Sequence, residues 1–386
     1  MSRKAFAFGR RTAMVLRVLG GVLVLGLGFD AGKAFALDCG DYAYPVCRGP
    51  ADQFQGGFKP GTGFGGFGGG ACRAARTPVI FIHGNGESAI VWDAPVTDPV
   101  KGYDLPRRSV YDEFRARGYR DCELFGVTFL RPDEQKNPRG NYHRPAKYDI
   151  VLRFIDEVLA YTGKDRVDIV AHSLGATMTL AALNYGDRKR PGRSPWKKVR
   201  RFISIAGALR GLSSCREAGY MNPLVATCAA ENTFSKYSFG FYPDTGKRFR
   251  GKNRWTGEGP EGLRKIPRHQ PHVGFYTISA GLADAVLCPG RSEDKSCADS
   301  ALFDEAPNVV AQLDCGAPGG RTVFRARPSV SEQEKSGLGH FKARINTGEI
   351  VAEMLLTDCR GRACRGSPPG PSRPSRNTCN RRNRIG

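Results

Sequence analysis

The sequence predicts an α/β fold, a mostly parallel central sheet covered by helices on both faces, and three observations carry that expectation. Short strand-like runs rich in β-branched and aromatic residues recur at 78–82, 167–170, 199–207 and 273–279, the first of them wholly apolar, as strands of a parallel sheet covered on both faces require. Helical patterns separate them, most clearly over 148–162, where Ile150, Val151, Phe154, Ile155, Val158 and Leu159 fall on one side. Finally, the run Val167-Asp168-Ile169-Val170-Ala171-His172-Ser173-Leu174-Gly175 passes from a strand through a serine flanked by small residues into the helix-favouring stretch 176–183.

Taken in order, the first 36 residues read as a secretory signal. Arg3, Lys4, Arg10 and Arg11 precede the apolar run 22–29, and Ala34-Phe35-Ala36 supplies a cleavage site. The apolar run is much shorter than the ~20 residues that span a bilayer, so no transmembrane anchor is expected. Residues 37–364 form the expected folded domain. Within it, 54–71 is rich in Gly and Phe and reads as an irregular surface segment. Residues 78–82 read as a strand ending in the tight loop His83-Gly84-Asn85-Gly86; 111–118 reads as helix, 124–129 as strand and 148–162 as helix. After the strand 199–207 the periodicity fails from 209 to 271, where Gly, Pro, Arg and aromatics dominate, as in a cap or lid insertion. The sheet is expected to resume at 273–279 and again near Val323, before a final helix over 347–356 and a disordered basic tail over 365–386.

The formal charge of +22 is concentrated at the ends, with +5 in residues 1–36 and +8 in residues 360–386, leaving +9 for the body. That describes a moderately basic enzyme attracted to anionic surfaces, and no specific nucleic-acid partner is expected. All 12 cysteines lie after the expected cleavage point, consistent with a chain oxidised outside the cytoplasm, secreted or periplasmic. Close spacings favour local bridges: Cys39 with Cys47, Cys215 with Cys228, Cys288 with Cys297, and Cys359 with Cys364.

The serine run carries the chemistry. In a nucleophile elbow the serine occupies a strained strand-to-helix turn that only small neighbours permit; Ala171 and Gly175 stand at those places. A serine hydroxyl is a weak nucleophile, so a histidine must take its proton and a carboxylate must orient that histidine. In α/β-hydrolases the chain order is Ser, acid, His, which sets aside His83, His143 and His172. His340, in the glycine-bracketed loop Gly337-Leu338-Gly339-His340-Phe341, is the expected base. Asp284, shortly after the strand 273–279, is the expected acid, with Asp299, Asp304 and Asp314 as alternatives, while His269 and His272 suit structural or substrate-contacting roles. The oxyanion donors are expected from the backbone of Leu174, which follows the nucleophile, and of Asn85, in the loop after the earlier strand. No metal or organic cofactor is required, and a monomer acting on an ester substrate is expected.

With these residues placed, the chain resembles extracellular poly(3-hydroxybutyrate) depolymerases of the type that attacks amorphous polymer and carries an A-H-S-x-G lipase box. The resemblance lies in Gly-Gly-Phe-Gly-Gly-Gly at 65–70, residues 77–86, 167–175 and 276–284, Gly339-His340-Phe341, and Asn346-Thr347-Gly348. It implies an α/β-hydrolase fold, a Ser173, Asp284, His340 triad, an Asn85/Leu174 oxyanion hole and a polyester substrate. Tyrosines of that family's cap are replaced here by Arg216-Glu217, Lys236 and Lys247-Arg248, with Gly140 beside Asn141-Tyr142-His143. A triacylglycerol lipase or short-chain carboxylesterase is the rival expectation; a non-catalytic secreted binding protein, held to anionic envelope surfaces by its basic body and tail, would have no use for Ser173, Asp284 and His340 together.

Overall fold

The central strands form where β-branched and aromatic side chains cluster, and helices where the 3.6-residue period takes over. A computed structural model describes residues 38–40, 46–48, 52–93, 108–137, 140, 142–212, 263–284, 286–288, 295–314 and 339–356. The strands are β1 (Asp38–Gly40), β2 (Val46–Arg48), β3 (Asp52–Phe54), β4 (Gly66–Gly68), β5 (Val79–Ile82), β6 (Leu124–Val127), β7 (Val167–His172), β8 (Val199–Ile205), β9 (Gly274–Ser279) and β10 (Val309–Asp314). β1 and β2 pair antiparallel with Cys39 opposite Cys47. The other eight form one sheet in the order β10-β9-β8-β7-β5-β6-β4-β3. Neighbours run parallel except β4 against β6.

Alternation along the strands sorts the core into two layers. Ile80, Ile82, Ile169 and Ala171 face one layer, which holds Val151, Phe154, Ile155 and Val158 of α3 (Pro145–Thr162) and Met178, Leu180, Ala181 and Leu183 of α4 (Leu174–Lys189). Val79, Phe81, Val170, Ile203, Ile205 and Ile278 face the other, with Phe114 of α1 (Val110–Ala116) and Val351 and Leu355 of the C-terminal helix Gly348–Leu356. The ends of these helices are chemically fixed. Ser109 Oγ accepts from the Asp112 amide at 3.0 Å at the start of α1, and Gly163, at φ +65°, closes α3. Buried Arg201 donates to the Met354 and Leu355 carbonyls at 3.2 and 2.6 Å, satisfying the last turn of the C-terminal helix. The short α2 (Pro132–Gln135) follows β6.

One expectation is corrected. The segment 54–71 is not wholly irregular, because β4 adds a strand to the sheet within it and β3 ends at its first residue. Gly66 and Gly68 stand at φ +147° and +142°, and a Cβ on Gly66 would lie 2.1 Å from the Gly126 carbonyl, so glycine alone lets this strand close on β6. A strand with a single side chain shows no periodicity. The strand following β9 is β10 at Val309–Asp314, while Val323 lies outside the described residues, as do residues 1–37, 213–262 of the expected cap and the tail after 356. Among the described residues no helix is long and apolar enough to cross a membrane.

The described disulfides are Cys288–Cys297, as spacing suggested, and Cys72–Cys122, a 50-residue link that joins the segment after β4 to the turn before β6.

Candidate active site

Strand order places the site. β5 is flanked by β6 on one side and β7 on the other, so the chain changes direction across the sheet here and leaves a crevice at the carboxyl ends of the strands. The register keeps those ends level, with Ile82 beside Ala171 and His172 beside Ile205. The candidate residues leave the sheet from this edge.

Ser173 follows β7 directly and has φ +51°, a left-handed conformation that costs a non-glycine residue of order 1 kcal/mol or more. Its amide is held by the Ile205 carbonyl at 2.9 Å, which fixes the turn from the neighbouring strand. Close packing explains the small neighbours. A Cβ on Gly175 would lie 2.3 Å from the His83 carbonyl, and one on Gly84 would lie 3.3 Å from Ser173 Cβ. Glycine is therefore required at 175, where α4 meets the loop after β5, and a side chain at 84 would press on the serine.

Ser173 Oγ lies 2.8 Å from His340 Nε2. On its other side the ring donates from Nδ1 to both Asp284 carboxylate oxygens, each at 2.9 Å. Asp284 follows the single-turn helix Gly281–Ala283 after β9, and its Oδ1 also accepts the amides of Val286 and Leu287 at 3.0 and 2.9 Å. His340 and Asp284 are buried, whereas Ser173 is partly open. The other carboxylates have different surroundings: Asp304 pairs with Arg264 at 3.2 Å, and Asp314, at the end of β10, closes against Gly281. His272 donates to the Trp196 carbonyl at 3.1 Å beside the start of β8, the edge of the sheet opposite Ser173, which gives it a structural role.

The Asn85 loop is supported from beneath. His83 donates from Nδ1 to the Gly84 carbonyl at 2.8 Å, accepts the Phe129 amide at Nε2 at 3.1 Å and stacks on the Phe129 ring. Burial pulls its pKa down to about 3, so the ring is neutral. Since the Gly84 carbonyl and the Asn85 N–H belong to one planar trans peptide, the His83 bond fixes the direction of that N–H. Leu174 is the first residue of α4, where amide groups have no partner within the helix. Beneath it, Thr177 donates to the Leu174 carbonyl at 3.0 Å and accepts from His143 Nε2 at 3.1 Å, while Tyr148 donates to His143 Nδ1 at 3.0 Å. Burial likewise lowers the His143 pKa to about 3.

Two further residues around the site, Glu87 and Arg344, have no signature in the sequence. Glu87, His172 and Arg344 are buried together beneath the loops bearing Asn85 and His340. A glutamate four residues beyond a histidine in a polar loop, and an arginine on a short helix, read as solvated surface until the loops are known to meet.

A serine on a strained turn after the central strand, an aspartate after β9 and a histidine before the last helix, all at one crevice, decide the architecture. The chain has an α/β-hydrolase fold. Residues 76–241 of this α/β-hydrolase match the model of a lipase family, Lipase (class 2), a span that includes the loop after β5 and Ser173. The match supports a carboxylic ester hydrolase of the lipase and esterase kind. No curated protein matches the sequence. Among solved structures it is similar to lipase B of Aspergillus fumigatus, with 17% identity, a TM-score of 0.40, and 74% of this chain and 54% of that one covered, so the likeness spans about half of the fungal enzyme. Mature lipase BlEst2 of Bacillus licheniformis is 12% identical over 73% of this chain and 93% of that one, with a TM-score of 0.38. Carboxylesterase CesB of Bacillus subtilis is 11% identical over 74% and 84%, with a TM-score of 0.30.

Proposed function

We propose that the protein is a secreted serine hydrolase that cleaves ester bonds of poly(3-hydroxybutyrate), related polyhydroxyalkanoates and their oligomers. The hydrogen-bonded chain Ser173–His340–Asp284 at the crevice carries the reading. His340 removes the Ser173 proton as Oγ attacks the ester carbonyl carbon, and the backbone amides of Asn85 and Leu174 receive the developing oxyanion. Asp284 keeps Nδ1 protonated, so that Nε2 is the basic nitrogen, and stabilises the imidazolium that forms. Collapse expels the alcohol with the proton from His340; water, deprotonated by His340, then attacks the acyl carbon, and Ser173 Oγ leaves with that proton as the acid is released. Each step uses side chains and backbone of this chain alone.

The polyester substrate rests on the likeness of residues 77–86, 167–175 and 276–284 to amorphous-polymer depolymerases. A second reading, an acylglycerol lipase, is favoured by the family match over 76–241. The test is hydrolysis of amorphous poly(3-hydroxybutyrate) granules, emulsified triolein and p-nitrophenyl butyrate by the purified protein and by Ser173→Ala. Release of 3-hydroxybutyrate that falls on the order of 10⁶-fold in the variant supports the polyester reading. Triolein cleavage without granule hydrolysis makes it a lipase, and undiminished activity in Ser173→Ala overturns the nucleophile assignment.

A further inference from the structure

A buried ion pair lies beneath the two loops that the proposed mechanism needs to align. Glu87, in the loop after β5, accepts the Gly84 amide at Oε2 at 3.2 Å and the Arg344 guanidinium at Oε1 at 3.1 Å. Arg344 belongs to the short helix Lys342–Ile345 that begins two residues after His340. Its other terminal nitrogen donates to the Val91 carbonyl at 2.9 Å, and its cation lies 5.5 Å from the Trp92 ring centre. One guanidinium thus grips the Asn85-bearing loop at Glu87 and again at its far end. His172 completes the cluster. Alternation along β7 turns its ring to this layer, where Nε2 donates to the His340 carbonyl at 3.0 Å and Nδ1 stands 4.0 Å from Glu87 Oε2.

Glu87 and Arg344 are only 1% and 2% exposed, and His172 is fully buried. Removing both ions of a pair from water costs more than it commonly returns, so an apolar pair of equal volume would hold the fold as well or better. What an apolar pair cannot supply is direction. Hydrogen bonds to Gly84, Val91 and His340 fix the separation of two loops that stand more than 250 residues apart in the chain. Accepting the Ser173–His340–Asp284 reading on which this rests, we propose that the Glu87–Arg344 pair, with His172 beside it, is a positioning unit that holds the oxyanion donor loop in register with the loop of the general base. Donor and base then face the same point above Ser173.

The experiment compares the wild type with Glu87→Met/Arg344→Met, which removes both charges at similar volume, and with the isosteric Glu87→Gln. Reactive sites are counted by stoichiometric labelling of Ser173 with a p-nitrophenyl phosphonate, and p-nitrophenyl butyrate hydrolysis is expressed per labelled serine. For the double variant kcat is expected to fall between about 10- and 100-fold, the scale of a misplaced reacting group, with KM within about twofold and the thermal midpoint near that of the wild type. For Glu87→Gln, which keeps an acceptor for Gly84 and loses the pair, the expected fall is about tenfold. Wild-type kcat in either folded variant overturns the proposal, as does failure of both variants to fold, since a pair needed only for folding is structural. A wild-type protein that is not labelled at Ser173 overturns the reading of the site itself, and the proposal with it.

Discussion

Gly175→Ala adds one methyl group at the point where α4 approaches the end of β5 most closely. The new Cβ would stand 2.3 Å from the His83 carbonyl oxygen and 2.8 Å from that of Ile82, where ordinary contact begins at 3.4 Å. Neither obstacle is a flexible side chain, so helix and strand must separate by about 1 Å in an interior too dense to absorb it locally. Ser173 precedes α4 directly, and His83 supports the Asn85 loop, so the separation moves nucleophile and oxyanion donors apart. Displacement on this scale costs on the order of 10² in turnover, and overpacking costs about 1–3 kcal/mol of stability. The expected outcome is a roughly hundredfold loss of kcat/KM on p-nitrophenyl butyrate, carried by kcat. The thermal midpoint should fall by a few degrees, at about 1–2 °C per kcal/mol for a domain of this size. A variant with wild-type kcat/KM and midpoint would refute the argument that backbone contact at Gly175 sets the site.

Two further outcomes follow from features around the site. Replacing Cys72 and Cys122 together by alanine opens a 50-residue link and should cost about 4 kcal/mol in the chain-entropy model, read as a lower urea midpoint with turnover per folded molecule unchanged; an unchanged midpoint would show that sheet pairing already fixes this tie. The neutral His143 has a folded pKa of about 3 against 6.5 when exposed, so between these values the unfolded chain binds a proton that the folded chain does not. Its contribution is full above pH 6.5 and is lost as pH falls, so the stability advantage of the wild type over His143→Gln should shrink by about 1.4 kcal/mol per pH unit below 6.5, a trend that urea unfolding at pH 7, 6 and 5 would show or refute.

The parts of this structure that were legible in the sequence are those encoded within a few residues. β5 is an unbroken apolar run, β7, β8 and β9 are rich in β-branched and aromatic residues, and α3 repeats its apolar face through Val151, Phe154, Ile155 and Val158. The serine turn could be read for the same reason, since strand, small residues and helix are contiguous. Asp284 and His340 needed the chain order of a known chemistry, because nothing local distinguishes them from Asp304 or His272. β4 carries no readable pattern because Gly66 and Gly68 bring backbone, not side chains, against β6, and β10 because its residues are only partly buried. Cys72–Cys122 defied a rule of proximity along the chain, since the sheet order, not the spacing, brings those loops together.

Glu87 and Arg344 mark the limit of such reading most clearly. Each is an ordinary charged residue by type, and burial of either alone would be prohibitive. They become intelligible only as a pair, and the pair only once the loop after β5 and the loop before the last helix are known to lie side by side. In an α/β sheet that closeness is set by topology: β5 and β7 are neighbours across the switch point, and the His340 loop must return over them to reach Ser173. A polar contact spanning loops from distant parts of the chain has chemical consequences at the crevice, where placement to a fraction of an ångström matters, whereas the buried Arg201 bonds to Met354 and Leu355 join equally distant segments far from the chemistry and only secure a helix end.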